Sequence, residues 1–175
     1  PEYTSDGTAV VSRYPGYSGK YNITGTFTVS STTSGSVFTY ALKGLESNAT
    51  GGWHVHAGTD CTTHACIGGH YYTAGTTDPW TPVKWQSDAN GEATGTLDFS
   101  SFGLPVDKHA IVIHLSDGTR AGMGSIVLVG PSGTFEITTP RRPLENPAGY
   151  GFVWKLKGLK PQSTGGWHVH AGTDC

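Results

Sequence analysis

Short runs in which apolar and polar residues alternate recur along residues 1–130 of the chain. Alternation with a period of two is typical of a strand with one buried face, and Gly, Ser, Thr and Pro separate the runs. The pattern predicts strands at residues 9–14, 21–30, 36–43, 52–57, 92–99, 109–115 and 124–129. It also predicts a long loop at 64–82, a length that usually indicates a function in a compact domain. The predicted fold class is all-β, an antiparallel sandwich or flattened barrel of about seven or eight strands.

The chain contains an internal repeat. Residues 50–61 (TGGWHVHAGTDC) recur identically at 164–175, an offset of 114 residues. A period of that length is the size of a domain rather than of a solenoid repeat. We therefore expect one domain at 1–130 and the N-terminal part of a second tandem copy at 131–175. We expect this partial copy to contact neighbouring repeats or to exchange strands with them.

Composition and charge argue against two classes of partner. The formal net charge is −2, and no run of Lys and Arg is present to grip phosphates, so we expect no nucleic-acid partner. No apolar stretch approaches the length of a membrane span, so we expect no membrane partner.

Two features favour an oxidising, extracellular setting. Asn22 and Asn48 each begin an Asn-x-Thr motif, the acceptor pattern for N-glycosylation. Cys61 and Cys66 are close enough along the chain to form a small disulfide loop, although paired cysteines also bind metals. Together these features predict a secreted glycoprotein.

The sharpest local feature is a His-x-His motif, which occurs at His54 and His56 and again, in the partial copy, at His168 and His170. Alternate residues of a strand point to the same face, so the imidazoles of His54 and His56 project side by side. Two such imidazoles form half of a transition-metal site, although an isolated motif of this kind also occurs as two surface histidines. Because no histidine follows the second motif within the chain, His168 and His170 form an incomplete second site.

Four further histidines differ in their expected positions. His114 ends a predicted strand on the face opposite to His109, so these two cannot serve one site. His70 lies in the long loop and could fold back over a metal, whereas His64, between the two cysteines, is expected to be exposed. The turn that follows His114 is expected to place Arg120 near it.

Five segments, in matching order along the first domain, resemble segments of the copper-zinc superoxide dismutases. The segment 52–56 (GWHVH) is similar to the G-F-H-V-H copper motif, and Cys61 stands where the family has the first cysteine of its disulfide. The segment 69–70 (GH) resembles the loop histidine that bridges copper and zinc. The segment 112–114 (VIH) resembles the strand-end V-V-H that provides the last copper ligand. The segment 118–124 (GTRAGMG) resembles G-S-R-L-A-C-G, which bears the substrate-guiding arginine.

The zinc half of the family's site is not matched. The family has two further zinc histidines after the bridging one, but no histidine lies between His70 and His109, and Trp85 stands about where one would be. Asp88 retains the position of the zinc aspartate, but one carboxylate and one shared imidazole do not make a tetrahedral zinc site. The resemblance therefore implies copper without zinc.

Two other departures lie near the end of the first domain. Only five residues separate His114 from Arg120, where the family has a long, charged loop. Met123 replaces the second disulfide cysteine of the family, which leaves Cys66 as the partner of Cys61. These differences resemble the copper-only branch of the family and its tandem-repeat members.

The resemblance implies a zinc-independent copper superoxide dismutase on a Greek-key β-sandwich or flattened barrel, with superoxide as substrate. Its copper ligands would be His54, His56, His70 and His114. His70 would also take up a proton during turnover, and Asp88 would fix its second nitrogen. Arg120 would hold the anion near the copper. Because the charged loop is missing, the copper should be open to solvent, and activity should depend only weakly on salt apart from the contribution of Arg120.

Two alternatives remain at the level of sequence. An extracellular copper-binding or buffering repeat with little or no turnover would keep the same ligands, and tandem repetition suits binding. A structural repeat with relic histidines is disfavoured, because all four ligand positions and Arg120 are present.

Overall fold

The computed structural model describes residues 5–31, 35–99, 103–129, 132–138 and 151–157. The chain divides into two compact units, Pro1–Gly130 and Pro131–Cys175. Within the described ranges, no helix has both the length and the apolar character needed to cross a membrane.

Nine strands and one single-turn helix make up the described part of the first unit. The strands are β1 (Ser5–Arg13), β2 (Thr24–Ser31), β3 (Ser36–Lys43), β4 (Thr50–Thr59), β5 (Lys84–Gln86), β6 (Ala93–Phe99), β7 (His109–His114), β8 (Arg120–Ser125) and β9 (Val127–Val129). The helix, α1 (His64–Ile67), lies in the predicted long loop between β4 and β5.

The strands form one antiparallel sheet in the order β5-β4-β7-β8-β1-β2-β3-β6, and β9 pairs with β1. The two end strands, β5 and β6, contact each other, so the sheet is nearly closed into a barrel. The β3–β4 and β6–β7 connections join strands that are not neighbours in the sheet. The predicted all-β, antiparallel fold class is confirmed.

The barrel interior is filled by the inward faces of the alternating strands. Trp53 is fully buried at its centre, with ring centroids 4.9 Å from Phe27, 5.4 Å from Phe38 and 6.1 Å from Trp80. Trp85 is also fully buried. The three tryptophans of this unit therefore serve packing, and the inward direction of Trp53 turns its neighbours on β4 to the outer face.

The predicted strands are recovered with two differences. The prediction of a single strand at 124–129 is wrong. The structure has two strands there, β8 and β9, and they are separated by Ile126, which is fully buried. This break lets the chain move from pairing with the end of β1 to pairing with its beginning. Strand β5 was not predicted, since its three residues are too few to show alternation.

The second unit contains two described strands, β10 (Ser132–Thr138) and β11 (Gly151–Lys157), which pair antiparallel. At the offset of 114 residues, β11 corresponds to residues 37–43 of β3. His168 and His170 lie outside the described residues, so the incomplete second site and the contacts of the partial copy stay predictions.

Candidate metal centre

Four imidazoles meet on the outer face of the sheet. One ligand atom from each lies within 4.8 Å of all the others, and the four residues are His54, His56, His70 and His114. The ring of His54 lies 4.2 Å from that of His70 and 4.8 Å from that of His114, measured between centroids. The structure therefore brings together all four residues that the sequence predicts as ligands.

Strand alternation and register place three of the four rings. Trp53 and Val55 pack into the core, so His54 and His56 point outward from β4. Gly52 on β4 is paired with His114 at the end of β7, which brings the third imidazole beside the first two.

The outward-facing cluster excludes His109, as predicted. Its Nδ1 hydrogen-bonds with the carbonyl of His56 at 3.0 Å, and its ring stacks on Tyr71 with centroids 3.8 Å apart. His64 is exposed, also as predicted, and its Nδ1 lies 3.0 Å from the hydroxyl of Tyr14.

The fourth ring arrives from the long loop, which follows the edge of β4. His70 forms an isolated bridge with His56, and flanking backbone hydrogen bonds join Ala57 N to Gly69 O at 2.9 Å and Tyr71 N to Val55 O at 2.8 Å. The loop is also tied to the end of β4 by a disulfide between Cys61 and Cys66. The predicted disulfide is thus present in the structure, and it anchors the loop that carries the fourth imidazole.

Three of the rings, those of His56, His70 and His114, have an Nδ1 atom that hydrogen-bonds outside the cluster. The Nδ1 atoms of His56 and His114 each lie 3.0 Å from a backbone carbonyl, that of Gly68 and that of Gly118 respectively. If each Nδ1–H donates to its carbonyl, the Nε2 lone pairs face each other, and these two Nε2 atoms are 3.3 Å apart. This orientation suits two nitrogens that bind one ion, since a hydrogen bond to the outer nitrogen fixes the tautomer of a metal-ligating histidine.

His54 provides the clearest indication that the cluster binds a metal ion. Both of its ring nitrogens are buried and have no hydrogen-bond partner. Its Cε1 and Nε2 atoms lie over Gly52, where an added Cβ would be 2.9 Å from each, so the ring fits here because residue 52 has no side chain. A buried polar group without a partner costs about 1–3 kcal/mol, and a metal ion would satisfy it. The donor set consists of four imidazole nitrogens, a type of ligand that suits both copper and zinc.

The electrostatics keep the rings in the form that binds metals. Burial, followed by the neighbouring imidazoles, lowers the pKa of His54 to about 3. Burial also lowers the pKa of His56 to about 3, against the raising effect of the hydrogen bond to Gly68. The pKa of His114 is lowered too, chiefly by burial. These imidazoles are therefore neutral at pH 7, as metal coordination requires.

In the metal-free protein, we expect the free energy of unfolding to fall as the pH is lowered from about 6.5 to about 3. In the folded state His54 and His56 titrate at about 3, whereas in the unfolded chain they titrate near the ordinary value of 6.5. Between these limits the unfolded state binds more protons, so acid favours unfolding; above about 6.5 both states are neutral and the contribution is constant. Urea titrations across this range measure the effect. His64→Ala should keep the same slope, His54→Leu should reduce it, and a flat profile would contradict the prediction.

The structure gives His70 a different carboxylate from the one that the sequence suggested. Asp78 Oδ2 lies 2.6 Å from His70 Nδ1, while Asp78 Oδ1 accepts a hydrogen bond from the Trp80 amide at 2.8 Å. Although partial burial acts in the opposite direction, these two hydrogen bonds lower the pKa of Asp78, which therefore stays ionised. Asp88 instead accepts hydrogen bonds from the amides of Asn90 and Glu92 in the turn before β6. The assignment of Asp88 as the partner of His70 is corrected to Asp78.

Replacing Asp78 with asparagine should weaken metal binding about 10–100-fold, because this carboxylate fixes the tautomer and raises the basicity of His70. Asp88→Asn is the matched control and should change the affinity less than twofold, since Asp88 only stabilises its own turn. Competition with a chelator of known affinity measures both, with thermal unfolding as a check on folding. Loss of affinity in Asp88→Asn, with Asp78→Asn unaffected, would restore the assignment made from sequence.

Arg120 lies beside the cluster in a fixed position. It is paired in register with His114, at a bulge where β8 has one extra residue, Ala121, opposite β7. Its Nη1 donates to the hydroxyl of Tyr14 at 3.1 Å, and its Nη2 donates to the carbonyl of Gly68 at 2.8 Å. The same carbonyl faces His56 Nδ1, so the guanidinium and one ring of the cluster share an anchor.

Tyr14 and Gly68, which hold Arg120, were not singled out from the sequence. Neither stands in a motif with a chemical role, and only the folded loop brings them to the guanidinium. Trp85 stands about where the family has a zinc histidine. Its indole nitrogen donates a hydrogen bond to the carbonyl of His114 at 2.9 Å, which fixes the backbone of this predicted ligand from the core side of the sheet.

No protein-family model matches this sequence, and a search of curated proteins finds no match either. The assignment of a function to the cluster therefore rests on its own residues and geometry.

Proposed function

We propose that this chain is a copper-only, zinc-independent superoxide dismutase of the copper-zinc superoxide dismutase family. The observation that carries the proposal is the convergence of four imidazoles, with the buried and unpartnered His54 among them, beside a fixed Arg120. The sheet order, with its β3–β4 and β6–β7 crossovers, supports a Greek-key barrel of that family's type.

Copper, when bound, would supply the one-electron change that converts two superoxide ions and two protons to dioxygen and hydrogen peroxide. His54, His56, His70 and His114 would hold it. The hydrogen bond from His70 Nδ1 to Asp78 leaves His70 Nε2 to face the cluster, and this is the atom that would hold a proton for the peroxide. The same hydrogen bond occupies the nitrogen that a second metal would need, which supports a site for copper without zinc.

Arg120 would bind the anionic substrate. A guanidinium has five N–H donors, and two of them are engaged by Tyr14 and Gly68, which leaves further donors for an anion next to the cluster. Because both anchors are uncharged, the positive charge of Arg120 is not neutralised by them.

The setting we propose is extracellular. The disulfide of Cys61 and Cys66 favours an oxidising compartment. Asn22 and Asn48 are both exposed, as glycosylation would require.

A copper-binding repeat with little turnover is the second candidate, and the recurrence of the His-x-His motif at His168 and His170 favours it. The deciding measurement is the rate of superoxide decay per bound copper, in protein reconstituted with Cu(II) and no zinc. A rate near about 10⁸–10⁹ M⁻¹s⁻¹ would support the dismutase. A rate equal to the metal-free control, with copper stoichiometrically bound, would favour the binding repeat.

A further inference from the structure

A row of residues crosses the outer face of four neighbouring strands and includes one ring of the cluster. Lys84 on β5 is paired with Gly52 on β4, and Gly52 is paired with His114 on β7. His114 is in turn paired with Arg120 on β8. Directly opposed residues of antiparallel strands point to the same face. Lys84 and Arg120 therefore stand on either side of His114, on the face that carries the cluster.

Gly52, the residue paired with Lys84, has no side chain, and the edge of the His54 ring lies over it. No side chain at position 52 therefore separates the backbone of Lys84 from the cluster. In the row of paired residues, Lys84 thus lies on the side of the cluster opposite to Arg120.

The charge of Lys84 is not neutralised by an ion pair with the acidic groups of its own region. Asp88 and Glu92 line a groove together with Lys84. The Asp88 carboxylate accepts hydrogen bonds from its own turn, and Glu92 forms an ion pair with Lys43 at 2.9 Å. Among the described residues, no carboxylate forms an ion pair with Lys84.

We propose that Lys84 and Arg120 together form a binding site for a small inorganic anion above the histidine cluster. The proposal rests on the proposed function, in which that anion is superoxide, and it adds Lys84 as a second anion-binding residue. Arg120 is the fixed donor, anchored by Tyr14 and Gly68. Lys84 is a point charge on a flexible stem, and it is paired in register with Gly52, which has no side chain to block its approach to the cluster. The salt dependence of anion binding should therefore arise from two side chains rather than from Arg120 alone.

Azide is a suitable probe, because its binding to Cu(II) is followed by absorption without turnover. The variants to compare, each loaded with one Cu(II), are Lys84→Gln, Lys84→Glu, Lys84→Arg and Lys108→Gln. Lys108 is the matched control, since it precedes the opposite end of β7, roughly 20 Å along the strand from His114. At about 0.01 M salt, we expect azide affinity to fall about threefold in Lys84→Gln and about tenfold in Lys84→Glu. Lys84→Arg and Lys108→Gln should stay within about twofold of the unaltered protein, and the differences should vanish near 1 M salt.

The outcomes separate this inference from the function on which it rests. Copper bound stoichiometrically in every variant, with equal azide affinity in all of them, would overturn the role of Lys84 and leave the copper site intact. An equal loss in Lys108→Gln would also overturn it, because the effect would then reflect net charge alone. Failure of the unaltered protein to retain copper after desalting would overturn both proposals.

Discussion

Replacing His54 with leucine is expected to abolish stoichiometric copper binding while leaving the metal-free protein at least as stable as the unaltered one. We expect the affinity for Cu(II) to fall at least about 100-fold, more than the 10–100-fold typical when only an outer partner of a ligand is lost. The free energy of unfolding of the metal-free protein should stay within about 1 kcal/mol or increase.

The two effects differ in sign because of how His54 is buried. Its ring is nearly inaccessible and neither nitrogen has a hydrogen-bond partner, so the metal-free protein bears the cost of an unsatisfied polar group. That cost is about 1–3 kcal/mol, and a leucine side chain of similar volume removes it. A histidine retained for packing alone would show the opposite, with lost stability and no consequence for metal binding.

His64→Leu is the control, since His64 is exposed and lies outside the cluster. Copper affinity is measured by competition with a chelator, and stability by urea unfolding in the presence of a metal scavenger. A loss of more than about 2 kcal/mol in metal-free His54→Leu, with copper still bound tightly, would contradict the assignment of His54 as a ligand.

The sequence predicted those parts of the centre that depend on local geometry. Alternation along β4 places His54 and His56 on one face and Trp53 on the other, and this follows from the strand itself. The same rule applied to β7 shows that His109 and His114 cannot serve one site, whereas the choice of His114 as the ligand follows from the resemblance of residues 112–114 to the family's copper motif. The shared face of His54 and His56 does not depend on how distant segments pack, but the meeting of His114 with them depends on the register of β7 against β4.

The parts that were missed depend on contacts between segments. The loop that carries His70 is held by backbone bonds to β4, and only this path brings Asp78 to the ring. Asp88 was favoured because it matched a family position, but its side chain is engaged by the turn in which it lies. The anion-binding role proposed for Lys84 was equally invisible, because β5 is too short to show alternation and its register against Gly52 is a property of the sheet.

Truncation of Trp53 to alanine should cause the largest loss of stability of any substitution considered. The side chain is fully buried, and its ring lies within 6.1 Å, centroid to centroid, of Phe27, Phe38 and Trp80. Replacing such a residue with alanine typically costs about 3–5 kcal/mol, through lost transfer free energy and the cavity left behind. Since natural domains are stable by about 5–15 kcal/mol, the variant should unfold at a much lower urea concentration.

Copper binding provides a second measurement on the same variant, because Trp53 turns His54 outward but is not part of the histidine cluster. If the cluster binds copper only when folded, free Cu(II) at about 100 times its dissociation constant should restore about 2.7 kcal/mol. Val10→Ala is the control, since Val10 is 69% exposed and its truncation should cost less than about 0.5 kcal/mol. A cost below about 1 kcal/mol in Trp53→Ala would contradict the described core. Equal stability of this variant with and without copper, in protein that still folds, would instead show that the ion does not bind the folded cluster.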